Sequence, residues 1–178
     1  YALLTGEYPF RANEGKGVWG PLPRSAKLIV DIEKLTVGKV MQQQGYATAV
    51  IGKWHLGFGD KSPTDWNGEL KPGPLQLGFD YYFGVPFVNS GPPFVYVEND
   101  HVVGLEANDP LVQDGTPISE TQLYTDKSPN SFSGGTKAHA LYKDDEIGTT
   151  LAGKAVDWIK GQKDKPFFLY LATTNIHH

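Results

Sequence analysis

The chain of 178 residues is long enough for one domain of ordinary size with a real core, and nothing in its composition points to disorder. Its 16 basic against 20 acidic residues leave it mildly acidic, which excludes the electrostatic footprint of a nucleic-acid or anionic-membrane binder. An anionic substrate would therefore need individually placed cations. No apolar run approaches the roughly 20 residues of a membrane span. The chain opens on Tyr1 inside what reads as a helix and closes on His178 directly after an apolar strand. Residues 1–178 are accordingly expected to be an internal piece of one domain, and the lack of cysteine then says little about redox compartment.

Residues 1–6, YALLTG, join helix formers to a glycine of the capping kind and read as a helix's tail. The glycines and prolines between Asn13 and Pro23 predict a surface loop. Thr36 then suits the cap of a short amphipathic helix with Val37, Val40 and Met41 on one side, ended by Gly45. Ala47 to Ile51, apolar, β-branched and uncharged, predicts a strand buried on both faces. Residues 57–80 show no sustained period and read as loop, before a short strand over Tyr81 to Val85. Phe94–Val97 and His101–Val103, separated by Glu98-Asn99-Asp100, resemble a hairpin. A long polar excursion over 104–140 carries no pattern, which suggests a binding role or mobility. From about Asp144 to Lys160 the positions Ile147, Leu151, Ala155, Trp158 and Ile159 fall at helical spacing, and Asp144-Asp145-Glu146 supply the negative charge a helix start favours. PFFLYLA, residues 166–172, predicts a second strand, and TTNIHH follows it. This alternation predicts an α/β fold, a largely parallel sheet flanked by helices.

In open α/β sheets ligands gather beyond the carboxyl ends of the strands. Gly52-Lys53-Trp54-His55 follows one strand, and Asn175-Ile176-His177-His178 follows the other. If those strands are neighbours, one lysine and up to three imidazoles converge on one rim and suit a tetrahedral anion. Lysine gives a fixed charge with several donors, and histidine can donate to an anion or carry a proton to a leaving group. Taken alone, a Lys-x-His after a strand is more often a solvated loop than a site. By residue type the histidine pair also fits a zinc site, although no cysteine and no His-x-x-x-His spacing supports one. Trp54, Trp158 and Phe167-Phe168 read as core packing.

Three stretches carry a family resemblance. YALLTG matches the tail of the first sulfatase signature, in which C/S-x-P-S-R precedes two residues, two aliphatics, Thr and Gly. GYATAVIGKWHLG, residues 45–57, matches the second sulfatase signature at every restricted position. PFFLYLATTNIHH resembles the strand and loop that bear the family's catalytic histidine. Order and spacing agree across the whole chain, which thus resembles a type I, formylglycine-dependent sulfatase of the arylsulfatase A-like group, with the alkaline-phosphatase-like fold. The resemblance implies that Lys53 holds the sulfate and the hydrated aldehyde nucleophile, that His55 hydrogen-bonds the same geminal diol, and that His177 binds the ester oxygen and helps protonate the leaving alcohol. His178 would be a variable neighbour. The implied reaction is attack of formylglycine on sulfur, release of the alcohol, then elimination of sulfate, so that a covalent intermediate divides one hard displacement into two easier steps.

The nucleophile with its Ser and Arg would lie just before Tyr1, and the ligands of the family's Ca2+ are expected outside this chain. A serine that some members place after the G-x-P-aromatic turn is Val88 here, so Asn89 or Ser90 would stand in as substrate contacts. The expected partners are a sulfated small molecule or glycan and the rest of the chain's own catalytic domain, with no nucleic acid and no membrane span. VYVENDHVVGLEANDP resembles glycan-acting members and favours a carbohydrate ester. Alternatives are a phosphodiesterase or phosphonate ester hydrolase of the same superfamily, and a non-catalytic anion- or glycan-binding relative. Family resemblance implies a periplasmic, secreted or lysosomal location, and the chain alone is expected to be inactive.

Overall fold

The structure, a computed structural model, describes residues 1–12, 19–20, 22, 26–87, 91–116 and 131–175. In chain order its elements are α1 (Ala2–Thr5), α2 (Val37–Gln43), β1 (Ala47–Lys53), β2 (Tyr81–Val85), β3 (Val97–Glu98), β4 (His101–Val102), β5 (Val112–Gln113), β6 (Phe132–Ser133), α3 (Thr136–Leu141), α4 (Ile147–Gln162) and β7 (Phe167–Ala172). Single 3-10 turns lie at Pro9–Arg11 and Pro74–Leu77.

Strand β1 is the axis. Five of its residues, Thr48 to Gly52, are buried, as an uncharged β-branched run requires when both faces of a sheet are covered. The main sheet runs β4-β3-β2-β1-β7, with β1 parallel to both β2 and β7, while β3 and β4 add an antiparallel hairpin at one edge. The α/β expectation is thus met by a mixed sheet whose parallel part is its three longest strands. Alternation of side chains sorts the core into two layers. Val50, Tyr82, Phe168 and Tyr170 join one cluster with Trp54, Phe58, Trp66 and Phe79. Ile51, Phe83, Val85 and Leu169 face Ile147, Leu151 and Ala155 of α4. Lys154 ties α4 to the sheet, 3.0 Å from Glu98 and 4.3 Å above the Phe83 ring.

Helix α2 starts where Thr36 predicts. Its hydroxyl accepts from the Lys39 amide at 3.2 Å and donates to the Leu77 carbonyl at 2.5 Å. Helix α4 begins at Ile147, just after the acidic run. Residues 57–80 are irregular as expected, yet they bury Phe58, Trp66, Leu70, Leu77 and Phe79. The excursion over 104–140 corrects the expectation of a patternless stretch: β5 pairs with β6, and α3 follows. Residues 117–130 lie outside the described residues. Among those described, no helix is long and apolar enough to cross a membrane.

Candidate active site

Strands β1 and β7 are direct neighbours, in parallel register from Ala47 opposite Phe167 to Gly52 opposite Ala172. Their carboxyl ends are therefore level, and the loops after both leave the sheet at one rim. That is the condition on which convergence of the two clusters depended. Lys53 and His55 stand on the β1 side. Asn175 is the last described residue on the β7 side, its amide packed against Gly148 of α4. His177 lies outside the described residues, as do Asn89 and Ser90.

Gly52 makes this rim possible. Its φ of 128° is closed to side-chain-bearing residues, and a Cβ there would collide with the Ala172 carbonyl. On its other side, a Cβ on its β2 partner Gly84 would collide with Gly52's own carbonyl. The three parallel strands thus close up, without side chains between them, one residue below the lysine.

Beyond Lys53 the β1–β2 ladder continues into the loop. The Trp54 amide donates to the Val85 carbonyl at 3.1 Å, and the His55 amide donates to the Pro86 carbonyl at 3.0 Å. Trp54 is buried and donates Nε1–H to the Gly57 carbonyl at 2.8 Å. It is the anchor between Lys53 and His55.

Lys53 is half-buried, and desolvation holds its ammonium below the ordinary lysine value. A bound anion reverses that penalty by restoring an opposite charge. His55 adopts φ of 52°, a left-handed conformation that costs a non-glycine residue about 1 kcal/mol or more. The ring is held as well as the backbone. Nε2 lies 3.2 Å from the Leu22 carbonyl, and the ring meets Phe87 edge-on at 5.1 Å. Since a carbonyl only accepts, Nε2 carries a proton. Sequence reading missed Leu22 and Phe87. A carbonyl partner leaves no trace in residue type, whereas Phe87, three residues past Gly84 in the G-x-P-aromatic turn, had a signal that was read only for its neighbours.

A polar cavity of about 240 Å3 lies between the start of α4 and residues 174–175. Asp144 and Asp145 line it, which sets it against anions, and neither Lys53 nor His55 borders it. No group of three or more His, Cys, Asp or Glu side chains converges as a metal site among the described residues. The chemistry available at the β1 rim is thus anion binding by one desolvated ammonium beside an oriented imidazole.

A Sulfatase family model matches residues 2–178. An N-acetylgalactosamine-6-O-sulfatase of Bacteroides thetaiotaomicron is 36% identical over 99% of this chain and 38% of its own length. An arylsulfatase of Hemicentrotus pulcherrimus is 30% identical over 99% of this chain and 27% of its own. Among solved structures, a sulfatase from a study of glycosaminoglycan metabolism by Bacteroides thetaiotaomicron superposes with a TM-score of 0.84 at 35% identity, over 99% of this chain and 40% of that one. A Pseudoalteromonas sulfatase, at 24% identity and a TM-score of 0.54, shares the fold over 99% of this chain and a third of its own. The chain therefore spans two-fifths or less of the length of these relatives. It belongs to the Sulfatase family.

Proposed function

We propose that the protein containing these residues hydrolyses sulfate esters of carbohydrates, and that Lys53, His55 and His177 serve the reaction. The observation that carries this reading is the level ending of β1 and β7, which brings the loop of Lys53 and His55 and the loop leading to His177 to one rim. Lys53 binds the sulfate group, and a desolvated ammonium aimed at oxygens that gain charge in the transition state stabilises it more than a hydrated one would. His55, fixed through Leu22 and Pro86, orients the attacking group. His177 donates a proton to the departing sugar oxygen. Asn89 and Ser90 contact the substrate from the loop after β2. Sulfatases generally use formylglycine, which supplies the attacking hydrated aldehyde, together with Ca2+. The described residues offer no acidic cluster for the metal, so no step here is assigned to it. Residues 1–178 act as a piece of one larger catalytic domain.

N-acetylgalactosamine 6-sulfate carried in a disaccharide is the first substrate to test, because the 36% identical relative is an N-acetylgalactosamine-6-O-sulfatase. In the full-length protein, Lys53→Ala is expected to lower kcat/KM for sulfate release at least about a hundredfold with little change in Tm. Unchanged turnover would remove Lys53 from the reaction. Faster cleavage of a matched phosphate diester would move the activity to the phosphodiesterase branch.

A further inference from the structure

Trp66, from the irregular stretch 57–80, belongs to a circuit of buried rings that ends on His55. Its ring meets Phe87 at 6.5 Å and 72°, and Phe87 meets the His55 imidazole at 5.1 Å and 89°. On its other side Trp66 meets Phe58 at 5.8 Å and 66°, and Phe58 meets Trp54 at 6.4 Å. Trp54 is the residue before His55, so the main chain completes the circuit. Trp54, Phe58, Trp66 and Phe87 are each 6% exposed or less within residues 1–178, and their contacts with one another need no other part of the protein.

The backbone leads to the same place. Strands β1 and β2 run in parallel register as far as Lys53 opposite Val85. The ladder goes on past the strands, through the Trp54 amide to the Val85 carbonyl and the His55 amide to the Pro86 carbonyl, and two more steps of that register set His55 beside Phe87. At φ of 52° the His55 backbone is strained, and a strained residue persists only where its surroundings hold it. In a close-packed interior a ring moves only if its neighbours give way. To move toward Phe87, the imidazole has to displace a ring backed by Trp66, which Phe58 backs in turn, and Phe58 rests on Trp54 in the loop that carries His55 itself. The four rings thus fix the imidazole relative to the end of β1, and so relative to Lys53.

We infer that Phe87 and Trp66 are positioning residues for His55, Phe87 by direct contact and Trp66 through Phe87. This rests on the sulfate-ester reading above, in which His55 orients the attacking group. Both residues are buried, and they act on the imidazole and not on the substrate. A group that orients an attack has to be held within about 0.5 Å of its productive place, and a small displacement costs far more in rate than in substrate affinity. The irregular stretch 57–80 thereby gains a part in the reaction, because it brings Trp66 in behind Phe87. Two rings that served packing alone would affect stability without singling out the step that depends on His55.

The test compares turnover of the sulfated disaccharide by full-length wild type, F87L, W66F, H55A and the double variant of F87L with H55A. F87L keeps an apolar side chain and loses the ring, while W66F keeps a ring and leaves space behind Phe87. In F87L kcat should fall about tenfold with KM within about twofold, and W66F should show a smaller loss of the same kind. In the H55A background F87L should cost no further rate, because the group it positions is gone. A second readout is independent of turnover. With histidines labelled at 13Cε1, the His55 signal is the one missing from H55A, and it should shift in W66F, where the altered ring lies one ring away from the imidazole. Rate losses that add in the double variant would overturn the positioning role, and so would an unmoved His55 signal in W66F. Should F87L fail to fold, W66F carries both readouts with the same outcomes. A His55 signal that shifts in W66F while H55A keeps the wild-type rate would support the hold on the ring and overturn the part given to His55 in hydrolysis.

Discussion

Two tryptophans of the described residues sit in opposite surroundings. Trp54 is 4% exposed, hydrogen-bonded through Nε1, and ringed by Phe58 and Tyr82 at 6.4 and 6.1 Å. Trp19 is 84% exposed and, among the described residues, stacks on Phe10. For Trp54 the reason lies in what its neighbours need. In the proposed reaction Lys53 and His55 meet charge that develops at the transition state, so their separation has to be fixed beforehand, and burying the residue between them fixes it.

The largest effect expected from breaking this contrast is on stability. Trp54→Ala should destabilise the full-length protein by about 3–5 kcal/mol, the usual cost of truncating a large buried aromatic, while Trp19→Ala should stay within about 0.5 kcal/mol. Denaturant unfolding of the two variants side by side checks this, and equal losses would erase the distinction. Gly52→Ala comes next. The new Cβ must displace the Ala172 carbonyl or abandon a φ of 128°, so about 3 kcal/mol should be lost and β1 and β7 should part at the rim. Activity should fall further than the residual fold predicts, because the level strand ends bring the two loops together. A Gly52→Ala protein of normal stability and rate would show that the strand junction does not set the site.

The part of this arrangement that could be read in advance was local. The strand at Ala47 to Ile51, the cap at Thr36 and the two polar clusters each sit in a few consecutive residues whose types state their role. The adjacency of β1 and β7 could be framed only as a condition, because 112 residues lie between Lys53 and Pro166 and strand order is a property of packing across that gap. Strands β5 and β6, of two residues each, are too short to show a period of two, and α3, TKAHAL, is too short to show one of 3.6. Trp66 and Leu70 are buried from a stretch with no period at all, since tertiary contacts and not local pattern hold it. The hold of Leu22 on His55 was illegible for a simpler reason, which is that every residue has a carbonyl.

Helix α3 carries the smallest predicted effect, and a sign that can be worked out. His139 is 3% exposed on a helix, and its Nδ1 lies 3.0 Å from the Phe94 carbonyl, so Nδ1 carries the proton of the neutral ring. Nε2 is buried and has no hydrogen-bond partner among the described residues. Burial lowers the pKa, only partly opposed by the Phe94 carbonyl and by Asp109. The folded protein therefore takes up this proton less readily than the unfolded chain. Above the ordinary value of 6.5 neither state is charged and His139 contributes no pH dependence; as pH falls below it, the unfolded state gains the proton first and stability declines. His139→Asn keeps a donor near Nδ1 and removes the titration. The stability of the full-length wild type relative to this variant should be level above pH 6.5 and fall below it, by up to about 1.4 kcal/mol per pH unit. Parallel stability profiles for the two proteins between pH 7.5 and about 5 would mean that the ring is protonated in place, with an acceptor at Nε2.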